Sequence, residues 1–111
     1  MPNTKIKTKK SKTLPYVIAR CSNAGVHAGE LVRKKLNGNG TASVELRNSR
    51  RIWYWTGAAS LSELAVYGSK NIGGCKIAVP LAKMEVMDCC EIDYTQPAGE
   101  KALREAPEWR A

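Results

Sequence analysis

Arg50-Arg51-Ile52-Trp53-Tyr54-Trp55-Thr56-Gly57 runs without interruption into Ala58-Ala59-Ser60-Leu61-Ser62-Glu63-Leu64-Ala65. The first half gathers two of the chain's three tryptophans, one of its four tyrosines and two adjacent arginines. Side chains alternate between the faces of a β-strand, so Arg51, Trp53 and Trp55 share one side and Ile52 and Tyr54 the other. One face is expected to be core, and the residues themselves do not choose which. The second half starts a helix. Ser60 followed by Glu63 has capping-box spacing, in which both side chains satisfy backbone N–H groups orphaned at a helix start. Leu61, Leu64 and Ala65 then fall on one face, and Gly68 stands where a left-handed C-cap belongs. The stretch therefore predicts a strand, a corner at Thr56-Gly57, and a helix of about two to three turns.

Upstream, Pro15 to Cys21 is β-rich and Ser22-Asn23-Ala24-Gly25 supplies turn chemistry. A second strand is expected from Val26 to Leu36. Asn37-Gly38-Asn39-Gly40 is a hairpin signal, because Asn and Gly tolerate positive φ. Ala42, Val44 and Leu46 alternate with Ser43, Glu45 and Arg47, the pattern of a strand with one packed face. Asn48-Ser49 predicts a further turn before the aromatic strand.

Downstream, Ser69 to Gly74 reads as a loop and Cys75 to Val79 as a brief strand ended by Pro80. Met84, Val86, Cys90, Ile92 and Tyr94 alternate with Glu85, Glu91 and Asp93 along a longer strand. Asp88 breaks the pattern and marks a bulge, a partner arginine or a change of register. Thr95 is positioned to cap a last helix with Pro97 in its first turn, running through Arg104 and stopping before Pro107. Trp109 is expected to dock on the body. The predicted class is α+β: a curved antiparallel meander with two short helices, one domain over residues 14–111 behind a basic flexible tail at 1–13.

A chain of 111 residues has room for one modest core. Its net charge of +8 is concentrated, because Lys5, Lys7, Lys9, Lys10 and Lys12 lie in a segment without acids. Such a tail either solubilises the protein or touches nucleic-acid phosphates non-specifically. No apolar run of about 18 residues is present, so no membrane span is expected and a soluble, cytoplasmic protein is. Cys21, Cys75, Cys89 and Cys90 form no C-x-x-C pair, and His27 is the sole histidine. No metal or cofactor site is expected, and the thiols read as reduced and structural. Serine or cysteine catalysis needs a base, which only His27 could supply, and an ordinary strand histidine explains it as well. P-loop and dinucleotide-binding motifs are absent. The chemistry left is binding: Arg50, Arg51, Trp53, Tyr54 and Trp55 offer guanidiniums for phosphate and rings for bases, or else an aromatic core.

The run from Arg50 to Ala65, preceded by Ala24-Gly25-Val26-His27-Ala28-Gly29 and followed by Cys75-Lys76-Ile77 and Lys101-Ala102-Leu103, resembles a small protein family of tailed phages and prophages. The similarity covers Tyr16 to Trp109. Within that group the chain resembles the first type of Thoeris anti-defence proteins, sponges that sequester cyclic ADP-ribose-type signals and, in some cases, the cyclic oligonucleotides of CBASS enzymes without cleaving them. The resemblance implies a non-enzymatic homo-oligomer, dimer or hexamer, with ligand sites between protomers in the cytoplasm of an infected bacterial host. It implies Arg104 as a cation on base or phosphate, Ile77 in the pocket wall where the family pattern favours an aromatic, and Arg50 and Arg51 on phosphates; the binding reading of the residues adds Trp53 and Trp55 to the site. The alternatives are an anti-CRISPR or other inhibitor that binds protein or nucleic acid, and a small structural phage protein.

Overall fold

Residues 13–111 are described by a computed structural model, and the lysine tail lies, except for Thr13, outside the described residues. Strand β1 is Tyr16–Cys21, β2 Val26–Leu36 and β3 Ala42–Tyr54; helix α1 is Leu61–Tyr67; β4 is Lys76–Ile77, β5 Leu81–Tyr94 and helix α2 Pro97–Glu105. A 3-10 turn at Ile72–Gly74 precedes β4. The class is α+β, as the patterning predicts.

The first three strands form the predicted meander, all antiparallel. The sheet then does what no local pattern announces. β5 inserts antiparallel between β1 and β3 and, with β2 also paired to β3, closes β1, β2, β3 and β5 on themselves. β4 extends β3 past the closure. Two cores result. Val17, Ala19, Cys21, Leu31, Val44, Leu46, Val86 and Cys89 fill the inside of the closed sheet. Tyr16, Ile18, Ala28, Ile52, Leu61, Leu64, Ile77 and Leu103 pack outside it, beneath the helices. β1 sends alternate residues into each core, which accounts for its unbroken apolar run.

The turn expected at Asn48-Ser49 is instead a bulge within one continuous strand. Glu30 pairs with Arg47 and Ala28 with Arg50, so Asn48 and Ser49 together oppose Gly29, and Asn48 takes φ 51°. A Cβ on Gly29 would lie 3.0 Å from Ser49 Cα, so the bulge needs glycine opposite it. The extra residue resets the alternation. Val44 and Leu46 face the inner core, whereas Arg50 and Ile52 face the helices.

Asp88 lies in one bulge of β5, where it and Met87 together oppose Ser43, and two residues before a second at Cys90. Ala42 pairs with Cys89 but Val44 with Val86, and Cys21 pairs with Cys89 but Arg20 with Glu91. The Asp88 carboxylate accepts hydrogen bonds from the Asn23 and Ala24 N–H groups and so ties down the β1–β2 turn. Those bonds, Asn23's first, hold its carboxyl below the usual range. The second bulge turns Cys90 outward, exposed, rather than onto the apolar side expected of it.

α1 carries the predicted caps: Ser60 Oγ accepts from Glu63 N at 3.1 Å, and Gly68, at φ 80°, donates to Leu64 O. Glu63 Oε1 accepts from Ala59 N, one residue before the usual box position. For α2 the cap is Gln96 without a side-chain bond, and Thr95 Oγ1 instead donates to Tyr16 O at 2.8 Å. The helices touch at Gly99, where a Cβ would stand 1.9 Å from Ala65 O. That atom is backbone and cannot swing aside. Gly99→Ala is expected to cost about 2 kcal/mol or more of folding stability, read by urea denaturation, because α2 must shift off α1.

Candidate functional site

After the Asn48 bulge, the two arginines take opposite fates. Arg50 is 2 % exposed. Its Nε donates to Ala78 O at 2.8 Å, its Nη1 to Leu103 O at 2.8 Å and to Arg104 O at 3.4 Å, and its Nη2 to Ile77 O at 3.4 Å. Leu103 and Arg104 lie in the last turn of α2, whose carbonyls have no partner within the helix and carry the negative end of its dipole. Burial lowers the Arg50 pKa from its ordinary value. Arg50 is thus a staple across three elements and not a ligand residue, which corrects the expectation for it.

Arg51 points the other way. Its guanidinium lies 4.0 Å from the Trp53 ring centroid and against Gly25, where a Cβ would meet Nη2 at 2.8 Å. Gly25 has φ 90° and leaves the space the cation fills. Trp53 stays 55 % exposed. Beside it stands Trp109, centroids 6.3 Å apart and planes at 59°. Trp109 docks as expected: its backbone N–H donates to Ile77 O at 2.9 Å, and Glu108 bridges to Ile77 as a short parallel extension of β4. Lys76 on β4 places Nζ 5.4 Å from the Trp109 ring and 5.9 Å from that of Tyr54. Arg51, Trp53, Tyr54, Lys76 and Trp109 therefore form one band of rings and cations around the sheet's end. Lys76 and Trp109 are members that sequence reading missed; the bridge from the C-terminal segment to β4 has no signature in the residues.

The other expected site residues lie elsewhere. Trp55 follows the last residue of β3, so alternation no longer governs it, and it packs against the outer core. Ile77 is fully buried and lines no accessible wall. Arg104 is partly exposed beside a cleft of about 530 Å³ lined by Tyr16, Glu30, Tyr94, Thr95 and Glu100. Its Nε donates to Glu100 at 2.7 Å and its Nη1 to Glu30 at 2.9 Å, while the guanidinium stacks 4.4 Å over Tyr16. Two carboxylates outweigh that single cation, so the cleft is unsuited to an anion. Among the described residues, neither Arg51 nor Lys76 has a carboxylate within 4.0 Å.

His27 is 4 % exposed, with Nε2 2.8 Å from Ala24 O, so the ring nitrogen donates there. Desolvation lowers its pKa. Burial pushes the Cys21 thiol up to about 12, far from a nucleophilic thiolate. Among the described residues no three His, Cys, Asp or Glu side chains are placed to hold a metal ion, and no helix is long and apolar enough to cross a membrane.

Two outcomes test this geometry. Arg50→Met is expected to lose about 2 to 4 kcal/mol of stability in chemical denaturation, since it strands buried carbonyls, whereas Arg51→Ala changes stability by less than about 1 kcal/mol. Because the fold depresses the His27 pKa below its ordinary 6.5, the unfolded chain binds the proton first. Its contribution is complete above that value and is lost as pH falls. Melting curves between pH 7 and 5 should therefore show a smaller decline for His27→Gln than for the wild type.

Residues 14–103 match the family model described as a domain of unknown function, DUF6948. No curated protein and no solved structure matches the chain significantly. With the match spanning most of the domain, from ahead of β1 into α2, the chain belongs to the DUF6948 family.

Proposed function

We propose that the protein is a non-catalytic nucleotide-binding protein that holds a cyclic nucleotide on the Arg51–Trp53–Lys76–Trp109 band. The observation that carries this reading is an uncompensated guanidinium stacked 4.0 Å over an indole that is itself half exposed. A ring face offers a base a stacking surface, and two cations without carboxylate partners offer phosphates their counter-charge. Stacking on aromatic side chains contributes about 1–3 kcal/mol per base and tolerates different bases. Among the described residues, no acid, base or nucleophile adjoins the band in a form suited to bond breaking, which accords with retention rather than turnover.

Joined to the resemblance, this chemistry makes the protein a phage-encoded counter-defence sponge. It sequesters cyclic ADP-ribose isomers or cyclic oligonucleotides in the cytoplasm of the infected bacterial host, as a homo-oligomer. The test is calorimetric titration of the full chain with cyclic ADP-ribose isomers and cyclic di- and trinucleotides, followed by denaturation and mass analysis of the released ligand. Saturable binding with intact release is expected, and Arg51→Ala and Trp53→Ala should each weaken it about tenfold or more. No binding to any of these ligands, or equal affinity in both variants, overturns the reading. Salt-sensitive binding of single-stranded nucleic acid that is lost on deleting residues 1–12 would favour the nucleic-acid-binding inhibitor instead.

A further inference from the structure

The sheet closes only at one end. β1 pairs with β5 from Cys89 onward, while residues 81–86 of β5 pair with β3 on one edge alone. Among the described residues no strand covers the outer edge of residues 81–87, although the Met87 carbonyl accepts from Asn37 Nδ2 at 3.0 Å. β2 has a similar open edge beyond Glu30, which pairs with Tyr16 at the end of the β1 ladder. An open edge presents unpaired N–H and C=O groups and templates another strand unless something prevents it.

The two edges are defended differently. Along β2, Arg33, Lys34 and Lys35 are consecutive, so antiparallel self-pairing would set cation against cation. Along β5 the residues are Leu81-Ala82-Lys83-Met84-Glu85-Val86-Met87, bounded by Pro80 and by the bulge before Cys89. Folded antiparallel about Met84, this segment matches itself. Lys83 opposes Glu85 of the second copy, Ala82 opposes Val86, and Leu81 opposes Met87. Leu81 and Met87 are 52 % and 66 % exposed, large apolar side chains that nothing in the described chain covers. The Lys83 and Glu85 side chains are likewise mostly in water.

We infer that two copies of this chain pair through residues 81–87 of β5, antiparallel about a twofold axis at Met84. Opposite charges and apolar side chains then meet directly across the new ladder, and the isologous contact stops the assembly at two. The pairing is independent of what the protein binds. Arg51, Trp53, Lys76 and Trp109 lie outside the paired segment, so each copy keeps its own band.

Analytical ultracentrifugation of the full chain at about 100 µM tests this, with a dimer expected in the wild type. K83E sets two glutamates opposite each other twice per dimer and should weaken association about tenfold or more. E85K does the same with lysines and serves where K83E, close to the buried Glu45, fails to fold. K83E/E85K restores the opposition of charge and should restore the dimer. A monomeric wild type, a dimer unchanged in the foldable single variant, a folded double variant that stays monomeric, or assemblies that grow beyond two with concentration would each overturn the pairing.

Discussion

A single buried cation ties the last helix to the sheet, a junction no strand pairing makes. Arg50 reaches from β3 to the carbonyls of Ile77, the last residue of β4, and Ala78, and of Leu103 and Arg104 at the end of α2. A guanidinium out of water is costly unless its N–H groups find acceptors, and these four carbonyls supply them without a carboxylate. The arrangement also satisfies helix-end acceptors that would otherwise need water. β3, β4 and α2 must therefore be placed together, because none can move without stranding a polar group. The residue after Arg50 is Arg51, the cation that stacks on Trp53, so the exposed surface adjoins that staple directly in the strand.

The distinction between Arg51 and Arg104 is one of company. Both stack on an aromatic ring, at 4.0 and 4.4 Å. Arg104 sits between Glu30 and Glu100, and its charge is spent inside the fold on joining α2 to β2. Arg51 has ring and glycine backbone around it and leaves its field to solvent. An electrostatic reading that counted arginines would rank the two equally; one that counted their carboxylates separates them.

Much of the architecture is legible in the residues. Ser60, Glu63 and Gly68 define α1 because caps are local chemistry, and Gly38 and Gly40, at φ 85° and 88°, make the hairpin for the same reason. Asn48 was misleading because a left-handed asparagine serves a bulge as well as a turn, and only the partner strand decides between them. Closure by β5 could not be read, because pairing across that span leaves no trace at short range. At the site, alternation correctly divides Arg50 from Arg51 but does not say which is buried. The expectation that grouped both with Trp55 and Ile77 followed nearness in sequence and resemblance, whereas the bulge and the end of β3 at Tyr54 set the actual neighbours.

The Asn48 bulge also bears on how such a chain can drift over evolutionary time. Opposite Gly29, β3 carries one residue more than β2, and that local surplus decides which guanidinium is sealed and which is displayed, although β2 evens the count with its own extra residue at Val32. Losing it would exchange the two, pushing Arg51 toward the helices and exposing Arg50. Point substitutions can accumulate along this strand, but a change in its length reverses the identity of its two surfaces at a stroke, so its residue count should be more tightly held than its composition.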